Sequence, residues 1–124
     1  MKSTLERTTT TTRIGQRGEQ IAGNHLQSRG LQILHRNFRS RAGEIDLIAR
    51  DADEIVFVEV RLRKSNRFGS AAESVGHQKQ QRIRTTAQVY LQQYRQIDTA
   101  CRFDVVAITG TPDHYQLEWI RDAF

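Results

Sequence analysis

The stretch EIDLIARDADEIVFVEVR, from Glu44 to Arg61, contains two short apolar runs separated by a polar turn at residues 51–53. Both runs are rich in Ile, Leu, Val and Phe, which favour β-strands, and the aspartates between them favour a tight connection. The pattern predicts an antiparallel hairpin. Each strand also carries carboxylates, which are disfavoured in strands and costly to bury without a partner. These acids therefore indicate either a site or a structural ion pair.

Side chains of a strand alternate between the two faces of a sheet. Alternation separates the acidic from the aliphatic side, with Glu44, Asp46 and Ile48 on one face and Ile45, Leu47 and Ala49 on the other. In the hairpin, Asp46 and Glu59 are expected to lie close together, as a seat for a hard divalent cation such as Mg2+. The alternative is a salt bridge, of Glu59 with Arg61 or Arg63 and of Asp46 with a nearby arginine.

The runs LQILHRNF before the hairpin and CRFDVVAIT and YQLEWI after it predict three further strands. Apolar residues at helical spacing predict one helix from Arg13 to Arg29 and another from about Ser74 or His77 to Tyr94. The resulting order αβββαββ predicts an α/β (α+β) fold, with a mixed β-sheet flanked by helices.

The 124 residues suffice for one domain of ordinary size. Residues 1–12 are polar, end in five threonines and show no periodicity, so they are expected to form a disordered tail. Residues 13–124 are expected to form the single domain.

The chain is basic, with 19 Lys and Arg against 14 Asp and Glu, a net charge of +5, and 16 arginines among the 19. Arginine presents a planar fork that matches phosphate, so this bias favours nucleic acid as the partner. No apolar run is long enough to cross a bilayer, and no membrane partner is expected. Cys101 is the single cysteine, which excludes an intrachain disulfide and favours a cytoplasmic location.

Lys79 shares its face of the second helix with Ile83 and Ala87, at spacings of four and eight residues. This stripe packs inward, so Lys79 is expected to point toward the sheet. The alternative is a lysine whose stem is packed while its ammonium reaches water.

The motifs GxxGE at residues 15–19, GEIDLIA, FVEVR, Gly69, Lys79, RFDVV at 102–106 and the closing WIRDAF resemble those of the YraN family of bacterial endonuclease-like proteins. This family is similar to the Holliday junction resolvases of the PD-(D/E)xK superfamily. The resemblance runs from about Gly15 to the end of the chain. It implies a restriction-endonuclease-like fold, DNA as the partner with branched DNA included, and a homodimer as one possible assembly.

By position, the resemblance implies that Asp46 and Glu59 bind Mg2+, with Mn2+ as an alternative, and that Glu19 is the assisting helix glutamate and a third candidate metal ligand. Arg61 stands where the superfamily motif has its catalytic lysine, and Lys79 is a candidate to supply that ammonium instead. Glu44 is a candidate accessory acid. The implied function is metal-dependent hydrolysis of DNA phosphodiester bonds by an endonuclease. The alternatives are a noncatalytic DNA-binding module that kept the fold, because arginine cannot act as a base, and a basic partner-binding protein.

Two groups of cations border the predicted acid strands and are expected to form a phosphate track: Arg36, Arg39 and Arg41, then Arg63, Lys64 and Arg67. An ordinary solvated basic rim is the alternative.

Overall fold

The computed structural model describes residues 2–65, 73–111 and 113–124, with side chains from Arg13 onward. Its elements follow the order αβββαββ: α1 Lys2–Ser28, β1 Gln32–Ser40, β2 Gly43–Asp51, β3 Glu54–Arg63, α2 His77–Gln93, β4 Cys101–Thr111 and β5 His114–Ile120. The predicted α+β class and element order are confirmed.

The five strands form one mixed sheet in the order β1-β2-β3-β4-β5. β1, β2 and β3 are successive antiparallel neighbours, and the connection between β2 and β3 is tight enough that Asp51 pairs with Glu54. β4 runs parallel to β3, so the chain must cross over between them, and it does so through α2. The end of β3, the start of β2 and the start of α2 therefore lie at the same end of the sheet.

The two helices cover opposite faces of this sheet. Ala22 and Leu26 of α1 pack with Leu47 and Val58 in one apolar cluster. The other face carries a cluster that includes Ile83, Ala87, Tyr90 and Leu91 of α2, and Ile48, Phe57 and Phe103 of the sheet. Neither helix, in the part of the chain described, has the length and apolar character needed to cross a bilayer.

The first helix is longer than the sequence predicts. α1 begins at Lys2, so its backbone takes in residues 2–12, which the composition predicts as a disordered tail. Once a packed helix exists, each further residue adds a hydrogen bond without a new nucleus, which allows a polar segment to continue it. The α1 side chains that pack in the core, such as Ala22 and Leu26, lie within the predicted domain.

A buried ionic network ties the strands together at the end opposite Glu59. Arg102 donates through Nε to Asp104 at 3.1 Å, and through its other nitrogens to Glu54 at 2.8 Å and Asp51 at 2.9 Å. Asp104 also accepts a hydrogen bond from Trp119 Nε1 at 2.9 Å. Although burial lowers it, these carboxylates raise the pKa of Arg102 above its ordinary value. Asp104, the aspartate of the RFDVV motif, thus has a structural role in this network.

Candidate active site

Asp46 lies where β2 leaves β3. The ladder between the two strands extends from the turn to the pair Leu47–Val58, and Asp46 is the next residue. Its Oδ2 accepts a hydrogen bond from the backbone N–H of Val60 at 2.8 Å. A side chain thus takes the place of a main-chain acceptor, which keeps the Val60 N–H satisfied as the strands separate.

This departure corrects one expectation about the faces of β2. Strict alternation puts Ile45 on the face opposite Ile48, but both pack in the cluster beneath α2. The pattern of period two holds only along a regular ladder, and the β2–β3 ladder ends at the pair Leu47–Val58, next to Asp46.

Glu59 is the buried acid of the site, with its side chain 7% exposed. It lies on the α2 side of β3, because Phe57, two residues before it, belongs to the cluster under α2. Its Oε2 lies 2.9 Å from Nζ of Lys79. The approach lacks hydrogen-bond alignment, so within the described structure this buried oxygen has no hydrogen-bond partner.

Lys79 reaches Glu59 from the first turn of α2. Its side chain remains 39% exposed, so the ammonium lies between the buried carboxylate and solvent. The inward orientation expected from the helical stripe is therefore found, with the ammonium paired to Glu59. The salt-bridge alternative for Glu59 is also met, but with Lys79 as the partner in place of Arg61 or Arg63.

Arg61 makes different contacts. Its Nε donates to Oγ of Ser74 at 3.2 Å and its Nη2 to the carbonyl of Ser74 at 3.3 Å. These bonds tie β3 to the segment that enters α2. The guanidinium of Arg61 thus holds the segment that leads into α2 and to Lys79. The cation that pairs with Glu59 is Lys79.

Glu19 approaches the site from the other face of the sheet. The preceding residue, Gly18, is buried, and a Cβ there would come within 2.5 Å of Leu62 at the end of β3. Gly18 thus packs against the Leu62 side chain, which places Glu19 near this end of the sheet. Burial raises the pKa of Glu19, while the neighbouring Asn37 side chain opposes this by favouring the charged form.

The carboxyl groups of Asp46 and Glu59 lie side by side. Burial raises the pKa of Asp46 to about 8, and the adjacent Glu59 adds to this shift by hydrogen bonding and by repulsion. Glu19 contributes a smaller repulsion. In the absence of a further cation the pair therefore retains a proton near neutral pH.

Replacing Asp46 by Asn is expected to flatten the pH dependence of stability in the presence of a chelator. The pKa of Asp46 rises from 3.8 to about 8 on folding, so the folded state binds more protons between these values. The free energy of unfolding of the wild type must then fall as the pH rises through this range. Asn keeps the acceptor for the Val60 N–H but cannot titrate.

Urea unfolding of both proteins at about pH 5 and about pH 8 measures this difference. The variant is expected to gain about 1 kcal/mol or more over the wild type between these two conditions. Histidines contribute equally to both proteins and cancel. Parallel pH profiles would contradict the raised pKa.

The acid pair fits a divalent cation in its chemistry. Asp46 and Glu59 offer adjacent carboxylate oxygens, which Mg2+ and Mn2+ prefer as ligands. Glu19 does not complete a cluster with them, since no three His, Cys, Asp or Glu side chains are grouped for metal binding among the described residues. The residues that fit are thus a pair, with Glu19 near it.

The cations expected to form a phosphate track lie partly beside the acids. Arg39 Nε is 3.7 Å from Oε2 of Glu44, and both side chains are largely exposed. Arg36 and Arg39 are also close enough to Glu19 to favour its charged form. The rest of the predicted track is dispersed: Arg41 is exposed in the β1–β2 turn, Arg63 ends β3, Lys64 is exposed, and Arg67 lies outside the described residues.

Asn37 is a site residue that sequence reasoning missed. It lies on β1 between the pairs Arg36–Leu47 and Phe38–Ile45, which places it opposite Asp46. Its backbone has a φ of 54°, which is uncommon within a strand and tolerated by asparagine better than by most residues. An asparagine inside the apolar run LQILHRNF was the available signal.

Comparison with known proteins gives consistent matches over most of the chain. The model of the uncharacterised protein family UPF0102 matches residues 18–108, a range that contains Glu19, Asp46, Glu59 and Lys79. A UPF0102 protein of Syntrophus aciditrophicus is 47% identical over 95% of this chain and 93% of its own length. UPF0102 proteins of Nitrosomonas europaea and Janthinobacterium sp. are 49% and 48% identical, over 89% and 88% of this chain and 92% and 85% of their own lengths.

Proposed function

The chain belongs to UPF0102, the YraN family, and from this premise we propose that it is a metal-dependent endonuclease that binds DNA and hydrolyses its phosphodiester bonds. The observation that carries the proposal is a chain of three neighbouring groups at one end of the sheet. The carboxyl groups of Asp46 and Glu59 are adjacent, and Glu59 is paired with the ammonium of Lys79. A buried carboxyl group whose pKa is raised by a neighbouring acid, as that of Asp46 is, is typical of catalytic sites.

Asp46 and Glu59 would hold the divalent ion, which when bound would polarise the scissile phosphate and activate a water. Lys79 supplies a fixed positive charge at Glu59, where it can stabilise negative charge that develops on the phosphate. Arg61 acts through Ser74, by holding the segment that leads into α2. In this assignment Lys79 takes the part that the motif gives to a lysine at the position of Arg61.

DNA binding in the proposal comes from the arginines next to the acids. Arg36 and Arg39 lie on β1, within electrostatic reach of Glu19, and both are exposed. Arginine binds phosphate through two parallel hydrogen bonds, and such contacts carry little sequence information. The proposed binding is therefore directed at the DNA backbone and weakens as salt increases.

The test is incubation of the purified protein with labelled linear duplex, single-stranded and four-way-junction DNA, in Mg2+, Mn2+ or chelator. We expect cleavage of at least one DNA with a divalent ion and none in chelator, while binding persists in chelator and declines with salt. Salt-sensitive binding without cleavage in either metal would replace the proposal by the noncatalytic DNA-binding module. Failure to bind any of the DNAs would exclude both.

A further inference from the structure

A recess opens on the α1 side of the sheet, between α1 and β1. Its volume is about 340 Å³, and its lining residues are all polar: Gln16, Glu19, Gln20, Asn24, Arg36 and Asn37. Gln20 and Asn24 are exposed and four residues apart, so they share one face of α1. The lining differs from the acid pair in that carboxamides predominate.

Four of the six lining side chains are carboxamides, each with a carbonyl acceptor and an NH2 donor. This combination matches the edge of a nucleobase, which presents donors and acceptors side by side. A phosphate alone would not need this lining, because it offers acceptors only. The recess thus has the chemistry of a base-binding site.

The position of Arg36 adds a planar group to the recess. A Cβ on Gly23 of α1 would come within 2.9 Å of Nη1 and 3.2 Å of Nη2 of Arg36. The guanidinium therefore packs against α1 at Gly23. A guanidinium held there can contact the plane of a base or the phosphate beside it.

The recess adjoins the acid site. Glu19 lines it, and the repulsion between Glu19 and Asp46 contributes to the raised pKa of Asp46. Asn37, also in its lining, lies opposite Asp46 in the β1–β2 register. A DNA strand with a phosphate at Asp46 can therefore place a neighbouring base over these amides.

We propose that the carboxamide-lined recess between α1 and β1 receives an unpaired base of the DNA strand bound at the acid site. Reading bases within a duplex requires side chains that project into a groove, whereas a recess requires the base to leave the stack. The inference rests on the proposed function and adds a substrate class to it, DNA with an unpaired nucleotide.

The test compares binding of a perfect duplex with binding of the same duplex containing one unpaired nucleotide, in chelator, by fluorescence anisotropy. The pocket variant carries Gln20→Ala and Asn24→Ala, and the matched control carries Gln92→Ala and Gln93→Ala, on exposed positions of α2. The wild type and the control are expected to prefer the unpaired nucleotide by about tenfold, and the pocket variant to lose this preference. Affinity for the perfect duplex is expected to be the same in all three.

A pocket variant that keeps the preference, or a wild type that binds both DNAs equally, would overturn the base-binding inference and leave the proposed function standing. A wild type that binds neither DNA would overturn the proposed function as well. Unchanged duplex affinity in the pocket variant shows that its fold and its phosphate contacts are retained.

Discussion

The Glu59→Gln protein is expected to bind DNA about as tightly as the wild type and to cleave it at least about 100-fold more slowly in Mg2+. Glu59 is 7% exposed, and its Oε2 has no hydrogen-bond partner in the described structure. Glutamine preserves the size and one carbonyl oxygen but removes the negative charge that a divalent ion requires. The loss should therefore fall on catalysis and leave the exposed arginines that contact phosphate unaffected.

Single-turnover cleavage measures the chemical step, and binding in chelator measures affinity. Glu44→Gln is the matched control, because Glu44 is a carboxylate on the neighbouring strand whose side chain is 41% exposed, and its removal should change the rate only a few-fold. Cleavage by Glu59→Gln at the wild-type rate would show that this carboxylate has no part in the reaction.

The same assay separates the two candidate cations. Lys79→Met should slow cleavage strongly, since Nζ of Lys79 lies 2.9 Å from Glu59. Arg61→Met should act mainly on stability, because its contacts are to Ser74. If Arg61→Met slowed cleavage more than Lys79→Met, Arg61 and not Lys79 would act as the lysine of the motif.

The Arg102→Ala protein is expected to lose about 3–5 kcal/mol of unfolding free energy. Asp104 is 0% exposed. Its two carboxylate oxygens accept hydrogen bonds from Arg102, from Trp119 and from the backbone N–H of Asp122. Removing the guanidinium leaves a buried carboxylate without its charge partner. It also releases Asp51 and Glu54, which close the β2–β3 hairpin.

Urea unfolding of the wild type and the variant gives this difference directly. Arg29→Ala is the control, because Arg29 is exposed just beyond α1, and its replacement should change stability by less than about 0.5 kcal/mol. Equal stability of Arg102→Ala and Arg29→Ala would mean that the network adds nothing beyond a surface ion pair.

Much of the candidate site follows from local sequence pattern. Asp46 and Glu59 are brought together by a hairpin whose turn and strand lengths are visible in the sequence, and the ladder runs from that turn to the residue next to Asp46. Lys79 is placed inward by the 3.6-residue period of α2. These are short-range regularities, so the sequence alone is enough to predict them.

Other features depend on contacts between distant segments. Strict alternation predicts the wrong face for Ile45, because β2 leaves the ladder at Asp46. Asn37 becomes a neighbour of Asp46 only through the register of β1 on β2. Neither the end of the β2–β3 ladder nor the β1–β2 register is encoded in one strand alone, since each depends on the pairing of two strands.

The sequence by itself determined the order αβββαββ, the family and the acid pair, because period and turn chemistry act within a few residues. Only the tertiary structure decided that Lys79, twenty residues beyond Glu59, is its cation, while the adjacent Arg61 is held by Ser74. The physical reason is that a salt bridge forms between the ends of side chains, whose positions are set by how α2 packs on the sheet. The number of residues between two side chains therefore does not predict which of them form the salt bridge.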